Sequence, residues 1–424
     1  MAVQAANGHG KSMAIWFPLK TPSTAPATAT PVPPPTASLH FNLWRLGHKG
    51  QEADGSTTPD LLDIGIMVSS PTQLSEVSFY LPTEIDHGDV EDLAPKLISH
   101  ELATGIFNEP LTASNGHKGN LILLENAASA RHCGVFNFPT TGGKISASDL
   151  KITHEYDGTT FKITDTALAT ACTGLNPNDK LYFRLRIRIP KNGANTFINA
   201  AIPDDKWFTS GVDVTEYLDF RLNQARNLNK GIARHLPVVP SPAVPVRIER
   251  LDFLLVVGVA VDVVVGHPNF HKCRLLEKDL WKTYVDEEHL RKGMVIYHWK
   301  GDPGTGHLVD FNAFVKLRVR LSGKRIIKRY LLIALLFGAI AGVFGNLLYD
   351  GLKGGLKMGR DAVLSLMAPA TVAAKAPEPP PVTADGKAPA APSGKTEEHR
   401  VNGPPPPAGE NGKAEDVGKK GTQG

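Results

Sequence analysis

Cysteine is scarce in this sequence. Cys133, Cys172 and Cys273 are the only three among 424 residues. Their wide spacing excludes a disulfide framework and suits a reducing compartment. An excess of either charge is lacking too. A net charge of +4 over this length is too weak to point to a nucleic-acid protein. The opening stretch MAVQAANGHGKSMAIWFPLK has no apolar run of the kind that leads a secreted protein, so nothing there marks the region for export.

Catalytic signatures are missing too. There is no Ser-His-Asp order, HExxH, paired catalytic carboxylates or dinucleotide fingerprint. That lowers the expectation of an enzyme, although catalytic groups converge in space rather than in sequence. No cofactor is expected. One phosphate-loop-like fragment, AANGHGKS at Ala5 to Ser12, has no strand before it and a proline-rich run soon after it. A working phosphate loop needs a strand before and a helix after, so the fragment reads as a chance match.

What the chain does have is one long apolar run. Tyr330 to Tyr349 reads YLLIALLFGAIAGVFGNLLY, without a charge. As an α-helix it spans about 30 Å, the hydrocarbon thickness of a bilayer. The terminal tyrosines suit the headgroup level. Lys316, Arg318, Arg320, Lys324, Arg325, Lys328 and Arg329 precede it, against Lys353, Lys357 and Arg360 after it. The side richer in Lys and Arg stays in the cytoplasm, so the N-terminal part is expected there and the tail across the membrane. Lys324, Arg325, Lys328 and Arg329 form a basic collar that would attract anionic lipid. Within the span, Gly338, Gly342 and Gly345 lie on a small-residue face that would let two helices approach, so a homo-oligomer is expected.

The rest divides by composition. Residues 1–37 are Pro/Thr/Ala-rich and read as a disordered arm. Residues 38–236 read as short strands between turns, a sandwich or jelly-roll-like domain. Within it, Tyr156-Asp157-Gly158 reads as a hairpin turn, and 90–106 and 215–228 read as helices. Residues 237–245 form a proline-rich linker. Residues 246–321 read as a small membrane-proximal α+β domain, with a helix over 275–291 and a last strand over 307–321. The collar follows at 322–329, the span at 330–349, and a glycine-rich interfacial segment at 350–367. Residues 368–424 read as a disordered Pro/Ala/Gly-rich tail.

Three features are candidate sites. His267, His271 and Cys273 have metal-like spacing, but no fourth ligand is evident, and a loop with a buried Cys is the simpler reading. His132 and Cys133 are adjacent, and adjacent strand residues point to opposite faces, so they are poorly placed as base and nucleophile. Arg184, Arg186 and Arg188 alternate with Leu185, Ile187 and Ile189, which puts three guanidiniums on one face. They would suit an acidic partner or would simply be solvated surface.

The expectation is a mainly β, single-pass membrane protein that binds a protein or small-molecule partner as a sensor, adaptor or scaffold. The alternatives are a membrane-perturbing effector triggered by the cytoplasmic part, and a membrane-anchored hydrolase with a site between the two domains. A deep polar pocket with converging His, Asp and Cys would favour the hydrolase. A flat β surface would favour the binder.

Overall fold

The computed structural model describes residues 11–21, 33–46, 58–116, 120–189, 196–201, 213–237, 246–265, 269–290, 293–304, 306–320 and 323–366. In chain order the first half holds β1 (Ala14–Trp16), β2 (Thr36–Trp44), β3 (Asp60–Val68), β4 (Val77–Leu81), β5 (Val90–Asp92), α1 (His100–Phe107), β6 (Leu111–Asn115), β7 (Leu121–Asn126) and β8 (Arg131–Phe136). Next come β9 (Thr140–Thr141), β10 (Lys144–Ile145), β11 (Leu150–Glu155), β12 (Gly158–Ile163), α2 (Asp165–Cys172), β13 (Leu181–Ile189), β14 (Ile198–Ala201), β15 (Asp213–Leu222) and α3 (Lys230–Ala233). The remainder holds β16 (Arg247–Gly258), β17 (Val261–Val265), β18 (Phe270–Leu275), α4 (Lys278–Trp281), α5 (Glu287–Leu290), β19 (Met294–Gly301), β20 (Phe311–Arg320) and α6 (Gly323–Leu366). The chain is mainly β.

A ten-stranded sheet dominates, in the order β18-β19-β16-β2-β3-β13-β8-β7-β6, with β5 also on β13. Two four-stranded sheets, β1-β4-β12-β11 and β14-β15-β20-β17, accompany it. Strand alternation explains how they pack. Leu39, Phe41 and Leu43 of β2, Leu62, Ile64 and Ile66 of β3, Leu181, Phe183 and Leu185 of β13, and Leu251, Phe253 and Leu255 of β16 point to one face. They share one apolar cluster with Phe79 and Phe161 of one small sheet and with Leu218, Phe220, Val315 and Leu317 of the other. The other face of the large sheet carries Ser38, His40, Asn42, Asp63, Tyr182, Arg184, Arg186, Arg250, Asp252 and His298. Two smaller apolar clusters cover parts of that face, one around Trp44, Trp281 and Tyr284, the other around Met67, Tyr182 and Cys133.

The regions on either side of the proline-rich stretch are not separate. β16 pairs in parallel with β2, Asp252 opposite His40, at the middle of the large sheet. β15 pairs along its length with β20, Asp213 with Arg320 through Leu222 with Phe311. Compactness places residues Met1–Phe344 in one unit and Gly345–Gly424 in another. Of the expected linker, 238–245 lies outside the described residues. Local composition cannot reveal that strands on its two sides pair with each other.

Other readings change for identifiable reasons. The N-terminal arm contains β1, whose Ala14, Ile15 and Trp16 are buried and pair with β4. Thr215 to Leu228 begins as strand: Leu218, Phe220 and Leu222 are buried while Tyr217, Asp219 and Arg221 are partly open, a period of two. Of 90–106, only the end is α-helix. A 3-10 helix, Ala94–Ile98, has Pro95 in its first turn, and α1 begins after Ser99, whose side chain accepts from Leu102 N. Over 275–291, β18 runs to Leu275 and two one-turn helices, α4 and α5, follow. Gly258 ends β16, but β17 then pairs with β20, so the chain changes sheets there. The β11–β12 hairpin turns at Tyr156 and Asp157, both at positive φ. Gly158 serves a close approach instead, since a Cβ there would lie 2.3 Å from Leu81 O.

α6 is a single helix of 44 residues, about 66 Å long at 1.5 Å per residue. It runs through the glycine-rich segment after Tyr349 without a break. Tyr330–Leu364 passes the length and hydropathy test for a membrane span, with mean hydropathy 2.3 and none of that window buried. The expected tail, 368–424, lies outside the described residues.

Candidate functional site

The polar face of the large sheet would be expensive to cover without partners. Its groups therefore form a connected network. Asp63, wholly buried, accepts from Arg186 Nε at 2.7 Å and Nη2 at 3.1 Å, from Trp44 Nε1 at 2.8 Å and from Tyr284 Oη at 2.9 Å. Burial alone would raise the Asp63 pKa, but the Arg186 guanidinium overrides it and holds the carboxyl below its ordinary range. Arg184, also wholly buried, donates from Nε to Tyr284 Oη and from Nη1 to Tyr182 Oη, both at 2.8 Å. The main-chain oxygen of Tyr284 accepts from Arg186 Nη1 at 2.8 Å and from Lys96 Nζ at 3.1 Å. Tyr284 follows α4, so the network ties the segment that carries Trp281 onto the sheet.

Next to it lies a second cluster. Asp252 accepts from His298 Nε2 at 2.7 Å and from Arg250 Nε at 2.6 Å, with His40 Nε2 3.7 Å away. Burial opposes ionisation of Asp252, yet the His298 and Arg250 hydrogen bonds bring its pKa down to about 2. His40 Nδ1 lies 3.3 Å from Tyr182 Oη. Because Arg184 can only donate, the Tyr182 proton is free to go to His40 Nδ1. That leaves the His40 proton on Nε2, facing Asp252. Burial, against the pull of Asp252, lowers the His40 pKa to about 4, consistent with a neutral ring. Gly65, opposite both His40 and Arg184 in register, leaves the room this needs: a Cβ there would lie 2.1 Å from Tyr182 Oη.

These groups line a cavity of about 230 Å³. The sheet contributes Ser38, His40, Asn42, Asp252, Leu254, Ile296 and His298. α1 and the residues after it contribute Gly105, Ile106, Phe107, Asn108 and Glu109, and α4 contributes Trp281. Asn108, at φ 56, caps α1 in the left-handed region and turns the chain toward β6. Met67, Arg184, Lys180, Arg250, Lys272, Cys273 and Arg274 also line it, the last five exposed. His132 lies there too, 3.2 Å from Glu109, with its pKa lowered by burial against the pull of Glu109.

The candidates read from sequence fall differently. Arg184 and Arg186 are buried and form no surface patch, because the α4–α5 segment covers their face. Arg188 is exposed and lies 3.7 Å from Glu91. His267 lies outside the described residues. His271 sits on edge strand β18, its ring 5.3 Å from that of His298. Cys273 is exposed on the same strand, neither buried nor in a loop. Among the described residues no group of three or more His, Cys, Asp and Glu could hold a metal ion. Cys133 is buried, and burial pushes its thiol pKa up, which makes it a poor nucleophile. Ser12 is buried and leads directly into β1 rather than a helix, unlike a phosphate loop. In α6, a Cβ at Gly338, Gly342 or Gly345 would meet open space. Lys328 of the collar is exposed, while the side chains of Lys324, Arg325 and Arg329 lie outside the described residues.

Sequence reasoning missed His40, Asp252 and His298. A signal was present. His40 and Asp252 each sit on the polar parity of a strand whose other parity is wholly apolar, Leu39-Phe41-Leu43 and Leu251-Phe253-Leu255. No protein-family model matches the chain, and no curated protein matches its sequence.

Proposed function

We propose that the chain is a single-pass, membrane-anchored binding protein, a sensor, adaptor or scaffold, whose β region takes a small molecule in the His40–Asp252–His298 cavity. The observation that carries this reading is the cavity: charged and hydrogen-bonding groups from β2, β16, β19 and α4 converge on one space. Small-molecule sites characteristically combine apolar walls with a few placed polar groups. The membrane part rests on α6. Leu331, Leu332, Leu335, Leu336, Phe337, Phe344 and Leu347 are each more than half exposed, an apolar surface that water would not favour. The basic residues before Tyr330 support a cytoplasmic β region, and Gly338, Gly342 and Gly345 support helix self-association. The large and small sheets sharing one apolar cluster support a sandwich-like arrangement.

A hydrolase is the second reading. The Asp252–His298 bond at 2.7 Å favours it, because it orients an imidazole whose Nδ1 has no partner among the described residues. Cys273 lines the same cavity. Catalysis by covalent attack also needs a nucleophile bonded to its base. Neither Cys273 nor Ser38 hydrogen-bonds a histidine among the described residues, so binding comes first.

The test is native mass spectrometry of the full chain released from membranes in mild detergent. The expected result is a small molecule of defined mass bound to the chain and absent from a Leu254→Trp variant, which fills the cavity. A wild-type chain that carries no such mass, and binds nothing from a metabolite extract, overturns the reading. Protease protection in sealed vesicles checks sidedness: only the segment after Tyr349 should survive digestion from the cytoplasmic face.

A further inference from the structure

We propose that the cavity is built for a phosphomonoester dianion, met at its mouth by Lys180, Lys272 and Arg250 and from inside by the indole N–H of Trp281. This rests on reading the cavity as a ligand site.

The first observation is an unpartnered donor. Trp281 is 2 % exposed, lines the cavity, and its Nε1 has no acceptor among the described residues. A buried indole N–H ordinarily finds one. Trp299 Nε1 also lacks one, but Trp299 belongs to the main apolar cluster and not to the cavity. The side of the Trp281 ring near its Cζ2 faces Gly105, another lining residue, where a Cβ would come within 3.6 Å. An oxyanion in the cavity would supply the missing acceptor.

The second observation is charge. Five lining cations, Lys180, Arg184, Arg250, Lys272 and Arg274, face two lining carboxylates, Asp252 and Glu109, an excess of three. Arg274 is held by Glu277, which reduces the excess to two; Asp63, 4.0 Å from Arg184, is already balanced by Arg186. Lys180 and Lys272 have no carboxylate partner among the described residues. His40 is neutral by the hydrogen-bond argument above. A phosphomonoester carries about −1.5 to −2 at neutral pH, which matches the excess, whereas a carboxylate would leave half of it unmet. Arg250 commits only Nε to Asp252, leaving its outer guanidinium nitrogens free to address phosphate oxygens.

Size and polarity narrow the class further. A volume of about 230 Å³ is small for a ligand site and suits a small ester. Phe107, Ile106, Leu254 and Ile296 give its carbon body an apolar surface.

The experiment is calorimetric titration of the full chain in detergent with ribose 5-phosphate and adenosine monophosphate. Ribose, adenosine, citrate and inorganic phosphate serve as comparisons. The expected result is that at least one ester binds ten-fold or more tighter than its dephosphorylated partner and than citrate. Lys180→Gln with Lys272→Gln should weaken it at least ten-fold, and Trp281→Phe three- to ten-fold, with melting temperatures close to wild type. Equal binding of ester and neutral partner, equal binding of citrate, or insensitivity to the paired lysine substitutions overturns the proposal. So does the absence of ester binding. If native mass spectrometry then finds another small molecule in the chain that no ester displaces, the ligand class fails while the ligand-site reading stands. If nothing is bound and no probe binds, both fail.

Discussion

Tyr284 Oη donates to Asp63 Oδ2 at 2.9 Å, joining residues 221 positions apart in the chain. The same hydroxyl accepts from Arg184 Nε, so one phenol connects a buried carboxylate to a buried guanidinium. Tyr284→Phe should cost about 1–3 kcal/mol, the usual size for leaving buried hydrogen-bonding groups unmet. Arg186→Met should cost more, about 3–5 kcal/mol, because it leaves the Asp63 charge buried beside a weaker set of donors. Urea unfolding checks both. A Tyr284→Phe variant as stable as wild type would show that the network merely fills space.

His40 should make stability depend on mild acid. Its folded pKa of about 4 lies below the ordinary value of 6.5, so the folded state resists the proton that the unfolded chain accepts. The contribution is fully present above pH 6.5 and is lost as pH falls toward 4, by about 3 kcal/mol at most at 1.36 kcal/mol per unit. Asp252, brought down to about 2, acts in a lower window, losing its contribution as pH falls from about 4 to 2. Urea midpoints of wild type and His40→Gln across pH 2–7 separate the two. The substitution should flatten the upper window and leave the lower one.

Gly65→Ala should break the relay without touching a charge. The new methyl would meet Tyr182 Oη at 2.1 Å and the His40 Cβ at 3.1 Å. Tyr182 must swing away, taking its hydrogen bonds to Arg184 and His40 with it. The expected cost is about 1–3 kcal/mol, the range for overpacking a filled interior, and ligand affinity should fall with it. Thermal melting and calorimetry on the same sample measure both.

If α6 self-associates as proposed, Gly338→Leu with Gly342→Leu should weaken it. Side chains there would fill a face that is now backbone and open space. Cross-linking in native membranes should shift from dimer toward monomer, with melting of the β region unchanged. A dimer indifferent to the pair places the contact elsewhere.

Many strands were legible because strand composition and alternation survive in single segments. β13 was recognisable from its period-two pattern, and β2, β3, β4 and β11 from short runs of strand-forming residues between turns. The Arg184 and Arg186 face shows where that reading stops. Alternation says that the guanidiniums share a side, not whether something covers it. The cover comes from Tyr284, a hundred residues later. β15 was misread because Tyr217, Leu218, Phe220, Leu222 and Ala225 fit a helical stripe as well as a strand. Pairing with β20 settled it. The cavity was invisible for a similar reason: His40, Asp252, His298 and Trp281 come from four elements that only long-range pairing brings together.

The parallel pairing of β2 with β16 also constrains how the protein is made. Thr36 pairs with Arg247, 211 residues later, so the middle of the large sheet stays unfinished until most of the chain has left the ribosome. β2 and β3 must wait with Asp63 and half of the cavity exposed, a state prone to mispairing. The apolar segment of α6 follows soon after β19 and β20 complete the sheets. A nascent chain therefore closes its cavity and presents the apolar segment of α6 within one short interval of synthesis. Ribosome stalling just after Arg247, or a chaperone bound to the waiting strands, would act on both events together.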